Sequence, residues 1–189
     1  MKYLKKFNES NSYIVLPNEI SISDFIDRLN EKSKLSISKE VIINWWNNNL
    51  PNIRIFYFPF KINQIIGCCF SENRVVINST AHSPSDIKLF IALHESKHTL
   101  QDDVEEKYFK TVINGDKESF MKNYRELEND ANNFALNSLK EMGLNISISD
   151  ENRLRSNENM GNNVYNMMSN DIIKTRSTTL SELFYKQIL

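Results

Sequence analysis

The chain has 189 residues, 40% hydrophobic and 25% charged, which places it among globular proteins of one domain with at most a small appendage. Lys and Arg number 23 against 24 Asp and Glu, so a formal net charge of -1 provides no general attraction to nucleic acid or anionic lipid. Only 4 Gly and 4 Pro exclude collagen-like and linker-like chains, and no apolar run reaches the roughly 20 residues that span a bilayer.

The opening stretch, MKYLKKFNESNSYIVLPNE, has lysines but no apolar run behind them and does not read as a signal peptide. Residues 1–20 are expected to be a polar N-terminal segment. From Ser21 the spacing of Ile22, Phe25, Ile26 and Leu29 predicts a helix, with Ser21 and Asp24 placed as a capping box. Val41, Ile42, Trp45 and Trp46 predict a second helix that ends in the Asn-rich stretch before Pro51, with one of the two tryptophans in the core.

The period then changes. Ile53–Phe58, Gln64–Phe70 and Arg74–Asn78 are rich in β-branched and aromatic residues and predict a meander of three strands. Gly67 inside the second run predicts a bulge or a close backbone approach. Cys68 and Cys69 are adjacent, so a disulfide between them would be strained, and they read as small apolar strand residues in a reducing, cytoplasmic setting. The run Arg74–Thr80 is expected to be an edge strand beside the next helix, open to an extended peptide.

Ser83-Pro84-Ser85-Asp86 predicts a helix start, with Ser83 as the cap, and that helix runs through about Gln101. Asn114-Gly115-Asp116 is a turn signal, followed by a long helix over roughly Lys117–Met142 and closed by Gly143. Residues 144–189 are expected to form a polar C-terminal extension, in which Thr179–Glu182 could start a final amphipathic helix. Residues 21–143 are expected to form the main domain.

The middle helix contains His94-Glu95-Ser96-Lys97-His98, an H-E-x-x-H pattern in a chain with 3 His. Residues at i and i+4 lie one above the other on a helix, so both imidazoles can reach one ion. Glu95 can lean towards that ion without ligating it and accept a proton from a water there. The ion expected at such a site is Zn2+, which at catalytic sites takes three protein ligands and leaves one position open. The third ligand must come from elsewhere, and the long helix offers Glu118, Glu126, Glu128, Asp130 and Glu141. At about 100° per residue, Phe120, Tyr124, Leu127, Ala131, Ala135, Ser138 and Met142 share a face. Glu128 lies near that face, and Glu126 and Asp130 lie on the far side. A carboxylate on an apolar face needs a partner, and a metal is one. Pairing with Arg125 or Lys122 is the alternative. Asn132 is placed to hydrogen-bond a ligand imidazole, or else is a surface Asn. Tyr108, Tyr124 and His82 are candidates for stabilising an oxyanion, each with a structural alternative.

H-E-x-x-H followed, 30 residues after His98, by Glu128, Ala131, Asn132, Phe134 and Ala135 resembles the gluzincin-type metallopeptidases of the ImmA/IrrE family. The resemblance covers about residues 38–142. It implies an α+β, zincin-like fold and a zinc-dependent peptidase with His94, His98 and Glu128 as ligands and Glu95 as general base. In relatives the substrates include repressor-like DNA-binding proteins, so the resemblance implies a peptide or protein substrate such as a transcriptional regulator. The chain departs from the family at Lys97, where a Gly is common, and at Leu136–Leu139, and neither departure touches a ligand. The expected architecture is a small antiparallel or mixed sheet of about three strands packed against the H-E-x-x-H helix and a second long helix. The other readings are a catalytically silent module of the same fold and a zinc-free helical packing protein. No direct nucleic acid or membrane partner is expected.

Overall fold

The computed structural model describes residues 18–61, 65–70, 73–101, 110–144 and 166. The helix expected from Thr179, and Tyr108, lie outside the described residues. The described elements are α1 (Ile22–Lys32), α2 (Lys39–Asn49), β1 (Arg54–Phe58), β2 (Gly67–Phe70), β3 (Arg74–Asn78), α3 (Ser85–Leu100) and α4 (Lys117–Glu141). This is the expected α+β class, with a small mixed sheet and long helices.

Local chemistry sets most helix ends. Ser21 caps α1 by accepting from the Asp24 amide at 3.0 Å, and its hydroxyl donates to the Asp24 carboxylate at 2.8 Å. Asp116 caps α4 by accepting from the Ser119 amide at 2.9 Å. At the other end of α4, Gly143 takes φ +92° while its amide and that of Leu144 bond back to Lys140 and Leu139. A residue with a Cβ resists that left-handed conformation, which is why glycine stands there.

The start of α3 differs from the expected cap. The residue before the helix is Pro84, and Ser83 makes no capping bond. The linker between α1 and α2 does that work instead. The Ser85 amide donates to Ser33 Oγ at 2.9 Å, the Ser85 hydroxyl bonds the Leu29 carbonyl, and Asp86 accepts from the Ser36 amide at 3.0 Å. The helix N-terminus is thus satisfied by another element, which anchors α3 to α1.

The sheet order is β1-β3-β2, with β1 parallel and β2 antiparallel to β3. It is therefore not the meander expected, and β3 is the central strand rather than an edge. Both hydrogen-bonding sides of Arg74–Asn78 are taken, so no peptide can add there. The reason is the chain between β1 and β2, which passes the end of β3 and is held by Asn78. That side chain is fully buried, accepts from the Phe60 and Thr80 amides at 3.1 and 3.0 Å, and donates to the Ile65 carbonyl at 2.8 Å. β2 then occupies the outer position.

One face of the sheet, with Ile55, Tyr57, Val75 and Ile77, joins Phe25, Ile26 and Leu29 of α1, Ile42 and Trp46 of α2, Leu89, Phe90 and Leu93 of α3, and Ala135, Leu136 and Leu139 of α4 in the main core. Phe56 and Val76 point the other way and pack with Phe60. Trp46 is the core tryptophan, and half-buried Trp45 donates its indole N–H to Glu141 at 2.8 Å. Gly67 marks a close approach. A Cβ there would come within 2.6 Å of Ile91 Cγ2 and 2.8 Å of Ile77 Cδ1, so its absence lets β2 lie against α3.

Candidate metal centre

His94 and His98 stand on successive turns near the C-terminal end of α3, and Glu128 reaches them from the middle of α4. The two Nε2 atoms are 2.9 Å apart, and the Glu128 carboxylate oxygens lie 3.4 Å from each imidazole. Of the three neighbouring acids on α4, Glu128 is the one that reaches the imidazoles: Glu126 and Asp130 are exposed, and Asp130 pairs with Lys97 at 3.2 Å. Three atoms each bound to one tetrahedral ion at about 2.1 Å would stand roughly 3.4 Å apart. The observed triangle is close to that.

The imidazoles are also held in the tautomer a metal requires. Gln101 caps the end of α3, its amide bonding the His98 carbonyl at 3.3 Å. Its side-chain NH2 donates to the Leu127 carbonyl at 3.1 Å and to Asp130 at 2.9 Å. Two acceptors on the nitrogen leave Oε1 to face His98 Nδ1, 2.7 Å away. His98 Nδ1 must therefore carry a hydrogen, which leaves Nε2 as the atom that can face an ion. His94 Nδ1 meets Asn132 Oδ1 at 3.0 Å in the same manner, and Asn132 is buried. Asn132 was legible as a partner of a ligand imidazole. Gln101 was not singled out by sequence, although its position three residues after His98 at a helix end could have suggested it.

The electrostatics favour a cation. Burial works against the charge on Glu128, but hydrogen bonds and charge from His94 and His98 outweigh it and hold the carboxyl at about 2. Burial likewise works against charging His98. The hydrogen bond to Glu128, the charges of Glu95 and Glu128 and the Gln101 contact prevail and raise it to about 9. Without an ion, a proton on His98 thus plays the cation's part. The residues fit a metal on donor chemistry: two imidazoles and a carboxylate, each half-buried or more, with the other ring nitrogens engaged.

Glu95 is half-buried on α3 beside these groups, and its charge acts on His98. It also meets Cys69 of β2, whose thiol is pushed well up by burial and then by the Glu95 carboxylate. Without a metal the thiol stays neutral, and Cys69 is not among the residues whose ligating atoms converge. Tyr124, one turn before Glu128, bonds that carboxylate through its hydroxyl. Burial, then the charges of Glu128 and Glu95, raise its ionisation well above the ordinary phenol value. His82 is exposed just ahead of α3, at the opposite end of the helix from His98, and stands apart from the cluster. Among the described residues, no helix is long and apolar enough to cross a membrane. No protein-family model, no curated protein and no solved structure matches the chain.

Proposed function

We propose that this chain is a zinc-dependent metallopeptidase with a zincin-like fold, related to the ImmA/IrrE group, that hydrolyses a peptide bond in a protein substrate such as a transcriptional regulator. The observation that carries the reading is the convergence of His94, His98 and Glu128 with Glu95 beside them. A purely structural four-ligand site has no use for that adjacent carboxylate, and the three ligands leave a position open.

Zinc bound by the three side chains would lower the pKa of a water to about 7 and polarise the scissile carbonyl. Glu95 takes the proton of the attacking water and passes it to the leaving amine. Asn132 and Gln101 fix the imidazole orientations, so the ligands need not reorganise during the reaction. Tyr124 donates to Glu128 and keeps that carboxylate aligned. The substrate lies extended along the outer side of β2. In support, β2 is an outer strand, unpaired on that side among the described residues, and its Cys69 touches Glu95.

The test is cleavage of a fluorogenic peptide library by zinc-loaded wild type and Glu95→Gln. The amide is nearly isosteric but cannot accept the proton, so zinc content should persist while turnover falls by about a hundredfold or more. Glu95→Gln cleaving at the wild-type rate would refute the assigned role. Zinc retention with no cleavage by wild type would replace the peptidase reading with a silent binding module.

A further inference from the structure

The two candidate ligand imidazoles are carried by α3, yet both are held from α4. For His94 the hold is direct, since Asn132 of α4 meets its Nδ1 at 3.0 Å. For His98 it passes through an intermediate. Gln101 faces His98 Nδ1 at 2.7 Å, but it stands at the end of α3, where the backbone turns extended with φ -83° and ψ 120°. A glutamine side chain has three rotatable bonds, and beyond the last regular turn nothing in the helix itself restricts them. Left alone it would sample several rotamers, and either end of its amide would be able to face the imidazole.

Two acceptors on α4 remove that freedom. The Gln101 NH2 donates to the Leu127 carbonyl at 3.1 Å and to Asp130 Oδ2 at 2.9 Å. One acceptor fixes one N–H and leaves the amide free to swing about that bond, whereas two fix its plane and aim Oε1. The Asp130 oxygen is held in turn. Lys97 Nζ stands 3.2 Å from the same Oδ2, and that ammonium lies 5.8 Å from the centroid of the Phe134 ring on α4. Lys97 and Gln101 are four residues apart, so both reach Asp130 from one side of α3. Glu126, also exposed on α4, is not a partner of Gln101.

We infer that Asp130 is a positioning residue for the metal centre: it holds the Gln101 amide, and through it the His98 imidazole, in the orientation that ligation needs. The inference rests on the reading of His94, His98 and Glu128 as a zinc site, and Asp130 is not itself among those ligating side chains. It acts by hydrogen bond and not by charge. Its side chain is 53% exposed, Lys97 offsets its charge, and water screens what remains. Asn at this position keeps an oxygen for the Gln101 N–H and loses the charge, whereas Ala loses both. The two substitutions therefore separate the two kinds of action.

Zinc affinity of the full chain, measured by competition with a chelator, is the first readout. Gln101→Leu removes the direct partner of His98 and should weaken binding by about ten- to hundredfold. Asp130→Ala, one step further out, should weaken it by about threefold to tenfold. Asp130→Asn should bind within about twofold of wild type, and so should Glu126→Ala, which removes an exposed charge from the same helix. The second readout is the Nδ1–H signal of each histidine in zinc-loaded protein labelled with nitrogen-15 histidine. In Asp130→Ala the His98 proton should exchange with water faster than in wild type, while the His94 proton, held by Asn132, keeps the wild-type rate. A general loosening of the site would speed both and overturn the inference. Asp130 is a surface residue, so its variants fold whether or not it positions Gln101. Equal losses in Asp130→Ala and Asp130→Asn would assign the effect to charge and also overturn it. Zinc bound by wild type and equally well by Asp130→Ala would overturn this inference alone; a wild type that takes up no zinc would overturn the metal reading and this inference with it.

Discussion

Glu95 and Glu128 are carboxylates in one pocket, and their surroundings separate them. Glu128 has an imidazole on each oxygen and a phenol donating to it. Glu95 faces the thiol of Cys69 and only the field of His98. Under the proposed function the first is placed to be a ligand and the second a base. The pairing of Glu128 with His98 also makes metal binding depend on pH. His98 is raised from 6.5 to about 9, so its contribution to stability is complete below 6.5 and is lost as pH rises through about 9. Glu128 is lowered from 4.5 to about 2, so its contribution is present above 4.5 and lost as pH falls through about 2. The metal-free protein thus gains most from this pair between those limits. A metal must displace the His98 Nε2 proton, so zinc affinity should climb about tenfold per pH unit from pH 6 upward and level off near pH 9. Competition titrations with a chelator of known affinity measure this. A flat profile over that range would show that His98 carries no proton in the metal-free state.

At the scale of elements, the site depends on how closely β2, α3 and α4 approach one another. β2 brings Cys69 to Glu95 because Gly67 has no side chain to hold the strand off Ile91. Gly67→Ala should therefore destabilise the fold by about 1–3 kcal/mol through overpacking. At roughly 2–4 °C per kcal/mol for a chain of this size, the loss is visible in a thermal melt. An unchanged melting temperature would mean that the strand shifts freely and that its approach to α3 is not tight. The elements were unevenly legible in the sequence. The α1 cap at Ser21, the α4 cap at Asp116 and its stop at Gly143 are local chemistry, and the sequence shows them directly. The α3 cap is not local. Ser83 has the right residue type in the right place, yet Ser33 and Ser36 from a distant linker supply the partners. Strand order failed for the same reason. Short separators suggest a meander, whereas the fold answers to a buried side chain, Asn78, that stitches the β1–β2 connection over the end of β3.

At the scale of the whole molecule, the candidate metal centre joins two helices that are far apart in sequence, and it lies where the core meets solvent. His94 and His98 were legible because helical geometry alone makes i and i+4 coincide, and Glu128 because an acid interrupts an apolar face. Gln101 was hidden because its partners, Leu127 and Asp130, belong to α4, and no periodicity within α3 discloses a contact between helices. Lys88 was hidden for the opposite reason, since a lysine on a helix is expected to reach solvent and this one is buried against Tyr57. If the proposed site is right, His94, His98 and Glu128 together hold one zinc ion. Zinc content per chain, measured by inductively coupled plasma mass spectrometry on wild type and Glu128→Ala purified side by side, tests it most directly. One zinc per wild-type chain, with little retained by a folded Glu128→Ala, is the predicted result; equal zinc in both proteins, or none in wild type after incubation with zinc, would contradict it.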